Sequence, residues 1–173
     1  MSMFYHFLSI NHNKPEDLSS HVELFKDTKI FTDQEFCQKF MGQYPVIFLS
    51  LKPVEGINFE TAYQKLAEVI YGLVDSQFRF LLQSNKLSDG NKRDLQYLLD
   101  LDNLEKVSSS VKLQFSLQKL TRFLYQHYGK KVIVLIDEYD VPLAKASVHG
   151  YYAQMVDVIR RAFLKSRFGL GTY

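Results

Sequence analysis

Residues 132 to 138, Val-Ile-Val-Leu-Ile-Asp-Glu, constrain the fold more than any other stretch of the chain. The five apolar residues are all β-branched or leucine. They make a run too short for a helix and too greasy for a strand with one wet face. Such a run reads as a strand fully buried in a parallel sheet. Gly129 closes the preceding helix, and Lys130 and Lys131 lead into the strand. Two acids end it. A buried strand carries Asp137 and Glu138 to the carboxyl rim of the sheet, where open α/β sheets bind their ligands. Adjacent carboxylates repel each other, so the pair makes chemical sense where a cation or a reacting water uses it.

A second apolar run, Val46 to Leu51, lies between Pro45 and Pro53 and also reads as a buried strand. Helical patterns surround the two strands. Phe59, Ala62, Leu66, Ile70, Leu73, Phe78 and Leu81 form a stripe that predicts a long helix over about 59–83. Leu95, Leu98 and Leu99 face inward from a helix over 92–101. Residues 111 to 117 alternate and admit a strand, after a Ser108-Ser109-Ser110 break, but the stretch reads as a helix overall. From Leu117 through Leu120, Leu124 and Tyr128 the spacing is helical. Tyr139 to Ala146 is a turn or short helix. A last amphipathic helix spans 151–168, with Met155, Ile159 and Phe163 inward. Upstream, Met3, Phe4, Phe7, Leu8 and Ile10 make one face of an opening helix. Leu18, Val22 and Phe25 share a side of a helix over 16–25. Thr32 and Glu35 form a capping box for a helix bearing Phe36, Phe40 and Met41. Parallel strands at about 46–51 and 131–137, interleaved with helices, predict a three-layer α/β architecture. Two strands are few for such a sheet, which points to an incomplete domain.

The bulk properties narrow the function. A chain of 173 residues can bury one core. A formal net charge of +2 offers no electrostatic case for nucleic acid or an anionic membrane. No apolar stretch approaches the roughly 18–20 residues of a membrane span. Cys37 is the only cysteine, which excludes an internal disulfide and a cysteine-based zinc site and suits the cytoplasm. His6, His12, His21, His127 and His149 share no metal-ligand spacing.

The apolar run closed by Asp-Glu is the Walker B pattern of nucleotide hydrolases. There the first acid holds Mg²⁺, usually through its water shell, and the second orients or deprotonates the attacking water. The longer string Tyr-Gly-Lys-Lys-Val-Ile-Val-Leu-Ile-Asp-Glu-Tyr-Asp-Val-Pro, residues 128 to 142, closely resembles the signature of the bacterial AAA-ATPase-like family. Residues 44 to 52, Tyr-Pro-Val-Ile-Phe-Leu-Ser-Leu-Lys, resemble that family's preceding strand. Leu24-Phe25, Lys29-Ile30, Ala62-Tyr63 and Gly150-Tyr151-Tyr152 are also similar to it, in the same order. The resemblance implies a P-loop NTPase-like fold and a protein that binds and hydrolyses ATP with Mg²⁺. It assigns Asp137 to the metal through water and Glu138 to catalysis; Asp140 either lines the site or is a turn residue before Val141-Pro142. It also implies a helix like 2–10 that follows a Gly-Lys-Ser/Thr phosphate loop. This sequence contains neither that loop nor the later sensor strand. The expectation is a single incomplete AAA-ATPase-like domain over 1–173, inactive alone and active in a longer parent. Members of the family often carry a C-terminal domain resembling restriction-type nucleases.

Other functions compete. A non-catalytic remnant or protein-interaction module would also lack a phosphate loop, with a protein partner or a second copy as its ligand. A metal-dependent nuclease would want an acid-x-Lys strand, whereas Ser50-Leu51-Lys52 has serine in the acid's place. Arg160, Arg161, Lys165 and Arg167 form a basic group that reads as a solvated helix face more readily than as an arginine finger.

Overall fold

A computed structural model describes residues 2–107 and 113–164. The chain opens with three short helices, α1 (Ser2–Leu8), α2 (Ser19–Phe25) and α3 (Gln34–Phe40), with a 3-10 turn at Lys29–Thr32 between the last two. Strand β1 (Val46–Ser50) follows, then α4 (Phe59–Leu73), α5 (Asp89–Leu98), α6 (Leu101–Leu104) and α7 (Ser116–Tyr128). Strand β2 (Ile133–Asp137) precedes α8 (Val141–Val148) and α9 (Tyr152–Ile159). The two strands pair in parallel, Val46 opposite Ile133 through Ser50 opposite Asp137. The mixed α/β class and the strand pair expected from the sequence are both present.

Register sorts the side chains of the sheet onto two faces. Ile47 and Leu49, with Val134 and Ile136 beside them, face the main core. That core is closed by Tyr63, Leu66 and Ile70 of α4, Leu95 and Leu98 of α5, Leu120, Phe123 and Leu124 of α7, and Met155 of α9. On the opposite face Val46, Phe48 and Ser50 lie beside Ile133, Leu135 and Asp137. Here α1 packs, with the Tyr5 ring 5.8 Å from that of Phe48. A smaller cluster of Phe7, Phe25, Cys37 and Met41 joins α1, α2 and α3.

Local chemistry explains the helix ends. Asn58 caps α4 by accepting the Thr61 N–H at 2.9 Å, and Ser88 caps α5 through the Asn91 N–H at 3.2 Å. Gly129 ends α7 at φ 66°, a conformation that glycine adopts without a Cβ clash. Past Leu73 the stripe of α4 continues through a π turn (Val74–Phe78) and a 3-10 turn (Arg79–Gln83). The Ser76 hydroxyl donates back to the Gly72 carbonyl at 2.6 Å, a bond that bends helices.

Four expectations need correction. Strand β2 is half-buried along its whole length rather than fully buried, because β1 covers only one of its edges among the described residues. Met3 and Phe4 are 67% and 64% exposed, so the inward side of α1 and its exit is Phe7 and Ile10. Val22 also points outward, and α2 buries His21 and Phe25 instead. Thr32 does not cap α3. Its hydroxyl is committed to the Lys29 carbonyl at 2.7 Å, and the Asp33 carboxylate accepts the Phe36 N–H at 3.0 Å. Leu113 and Gln114 are helical, whereas the Ser108-Ser109-Ser110 break, the strand start at Val111 and the helix end beyond 164 lie outside the described residues.

Candidate functional site

Strand β2 presents Asp137 as its last residue, directly across from Ser50. The ladder continues one step further, since the Leu51 N–H donates to the Asp137 carbonyl at 3.0 Å. Glu138 then leaves the strand at φ 53°, the one positive φ of a non-glycine among the described residues. A side chain in that region costs on the order of 1 kcal/mol and is characteristic of functional sites. The Glu138 N–H donates to Asp137 Oδ1 at 3.2 Å, and the Val141 N–H donates to the Glu138 carbonyl at 3.2 Å. These bonds fold Tyr139 and Asp140 into a turn that starts α8. Pro142 sits in the first turn of α8, where no donor is required.

Both Asp137 and Glu138 are half-buried. Among the described residues the Glu138 carboxylate has no hydrogen-bond or ion-pair partner, and that of Asp137 accepts only the Glu138 N–H. Neither acid is a helix cap. Asp140 is exposed at the cap position of α8 but makes no capping bond, and Tyr139 is exposed.

The segment after β1 is tied across the same rim. Glu55 pairs with Lys145 of α8 at 3.0 Å, and the Tyr151 hydroxyl donates to the Gly56 carbonyl at 2.8 Å. Gly56 is needed because a Cβ there would lie 2.6 Å from the Ala62 nitrogen. The amino end of α1 points toward this rim as well. Ser9 forms a parallel bridge to Tyr44 before the start of β1, while the Tyr5 ring packs at a tilt on Phe48 farther along, so going back along α1 from its end leads farther along β1. From Tyr5 back to Ser2 the helix rises about 4.5 Å. From Phe48 to Ser50 the strand rises about 6.6 Å. The start of α1 therefore comes nearly level with Ser50 and Asp137.

Among the described residues no three His, Cys, Asp or Glu side chains converge to hold a metal. Asp137 and Glu138 line neither of two surface cavities. One, about 600 Å³, lies between the starts of α4 and α9, at Asn58, Phe59, Tyr151 and Gln154. The other, about 270 Å³, lies along α3 at Asp33, Phe36 and Lys39. Arg160 and Arg161 are exposed, with Arg161 bound to Asp157 at 2.8 Å, and Lys165 and Arg167 lie outside the described residues. No described helix is long and apolar enough to cross a membrane.

One polar cluster has no signature in residue spacing. His12 Nδ1 pairs with the Tyr128 hydroxyl at 2.7 Å, and His127 Nδ1 pairs with the Ser84 hydroxyl at 2.8 Å. The rings of Phe78 and Phe80 pack on His12. Burial, helped by nearby His127, pushes the His12 pKa down to about 4, and burial lowers His127 too. Burial also pushes Tyr128 up to about 12. The partners are 116 residues apart, so only the fold reveals them.

The family model described as "Predicted AAA-ATPase" matches residues 1–170. No curated protein and no solved structure matches the chain.

Proposed function

The chain belongs to this AAA-ATPase-like family, and from that premise we propose that it forms the Walker B half of an ATP-hydrolysing site. Family membership carries nucleotide use in general. The finer assignment rests on one observation: parallel pairing with β1 brings Asp137 and Glu138 to the carboxyl rim of the strand pair. Asp137 would hold Mg²⁺ through water, and Glu138 would orient the attacking water and take its proton. The donor set fits this use. Mg²⁺ is held by one or two carboxylates together with phosphate oxygens and water, rather than by an all-protein cage. When bound, the ion would neutralise charge developing on the phosphate.

In this reading residues 1–173 are one incomplete domain. A phosphate-binding loop joined to the amino end of α1 would set its backbone donors above Asp137. A further strand along the open edge of β2 would complete the sheet. The chain by itself lacks the main grip on phosphate and is inactive, while the longer protein hydrolyses ATP.

Two measurements test this. Calorimetric titration of the 173-residue chain with Mg·ATP should show no binding at micromolar concentration, and a micromolar Kd would overturn the inactivity. In the longer protein, Glu138→Gln should keep ATP binding and lose about 10²–10⁴-fold in turnover, the usual contribution of a general base. Wild-type turnover in that variant would remove Glu138 from the mechanism.

A further inference from the structure

We propose that Ser50 is a positioning residue of this site, its hydroxyl holding the same cation-shell water that Asp137 holds. The inference rests on the reading of Asp137 as the acid on the cation's water shell.

Register is the first argument. Ser50 and Asp137 are paired across the parallel ladder, so their side chains leave the same face of the sheet, beneath α1. Neighbouring strands are about 4.8 Å apart. No direct hydrogen bond joins the two side chains, and that spacing suits one cation-bound water donating one hydrogen to the Ser50 hydroxyl oxygen and the other to the carboxylate. Hydrogen-bond inventory is the second argument. The Ser50 oxygen accepts the Lys52 N–H at 3.4 Å, which engages one lone pair. Its second lone pair receives no donor among the described residues. The Asp137 carboxylate likewise spends only one acceptor site, on Glu138. Two free acceptor sites thus flank one half-buried point at the rim, matching the two hydrogens that a cation-bound water donates. Position is the third. The Leu51 N–H to Asp137 carbonyl bond locks the two strand ends together immediately beyond the pair, so Ser50 cannot drift from Asp137 without breaking the ladder. Groups that orient a metal's ligands and waters in this way typically contribute 10- to 100-fold in metal affinity or activity, as an order of magnitude.

The test uses the full-length protein loaded with ADP and Mn²⁺, reading free Mn²⁺ by electron paramagnetic resonance. Ser50→Ala should weaken Mn²⁺ binding by roughly 10-fold or more, with metal-free nucleotide affinity unchanged. Ser50→Thr, which keeps the hydroxyl, should return the affinity to within a few-fold of wild type. Ser50→Cys is nearly the same size with a poor acceptor and should fall between them, and it carries the test if the alanine variant misfolds. Wild-type Mn²⁺ affinity in the folded alanine or cysteine variant would overturn the proposal. Asp137→Asn, run alongside, separates the two readings. If it weakens Mn²⁺ while Ser50→Ala does not, only the role of Ser50 fails. If neither variant changes Mn²⁺ affinity, the assignment of Asp137 fails with it.

Discussion

Acidification should loosen the fold at His12, and the structure sets the size of the effect. Neutral His12 is packed against Phe78 and Phe80 and hydrogen-bonded to Tyr128. Its pKa falls from the ordinary 6.5 to about 4 in the fold, chiefly through burial and then through His127. The unfolded chain therefore takes up the proton first. Stability is complete above about pH 6.5, declines as the pH falls toward 4, and levels off below that. At about 1.4 kcal/mol per pH unit, the gap between 6.5 and about 4 caps the loss at about 3.4 kcal/mol. His12 keeps some contact with water, and solvent screening trims the figure to about 2 kcal/mol. His127, also lowered, adds in the same direction. The assay is urea denaturation followed by circular dichroism at several pH values between about 4 and 7.5, on wild type and His12→Phe. Phenylalanine keeps the ring packing and removes the titration. At neutral pH the variant should lose about 1 kcal/mol with the Tyr128 hydrogen bond. Between about pH 7 and 4 it should lose about 2 kcal/mol less than wild type, the carboxylates cancelling in the comparison. Parallel pH profiles for the two proteins would refute the reasoning.

Three substitutions probe the frame around the site. Gly56→Ala drives a methyl group to 2.6 Å from the Ala62 backbone nitrogen, and denaturant melts should show a loss of about 1–3 kcal/mol from overpacking. Phe123→Ala empties a fully buried position that α7 contributes to the main core, with an expected loss of about 3–5 kcal/mol in the same assay. Gly129→Ala places a Cβ at φ 66° and should lower stability by about 1–2 kcal/mol, visible as a drop in Tm.

The sequence carried the strands because their chemistry is local. Val46 to Ser50 and Ile133 to Asp137 are short apolar runs bounded by proline or by glycine and lysine, and they became the two parallel strands. The α4 stripe and the Gly129 stop were legible for the same reason, since periodicity and a left-handed cap depend on a few neighbouring residues. Burial was less legible, because it depends on partners. Nothing in Met3 or Phe4 distinguishes them from Phe7, yet only Phe7 meets α2 and α3. Thr32 has the right identity for a cap, but an unforeseen 3-10 turn uses its hydroxyl first. At the site, the motif placed Asp137 and Glu138 on one strand end. The presence of Ser50 beside Asp137 required the register between strands 87 positions apart, which no local pattern encodes. The same distance rule hid the pairing of His12 with Tyr128.

Glu138 sits in a backbone conformation that glycine would occupy without strain. A library of random variants ranked only by heat resistance would therefore enrich glycine at that position. Such a screen registers melting and is blind to turnover, so it would return sturdier proteins stripped of the carboxylate assigned to the reacting water. A library ranked by ATP turnover should restore glutamate. Under the role proposed for Glu138, thermal endurance and hydrolysis compete for a single residue just past the end of β2.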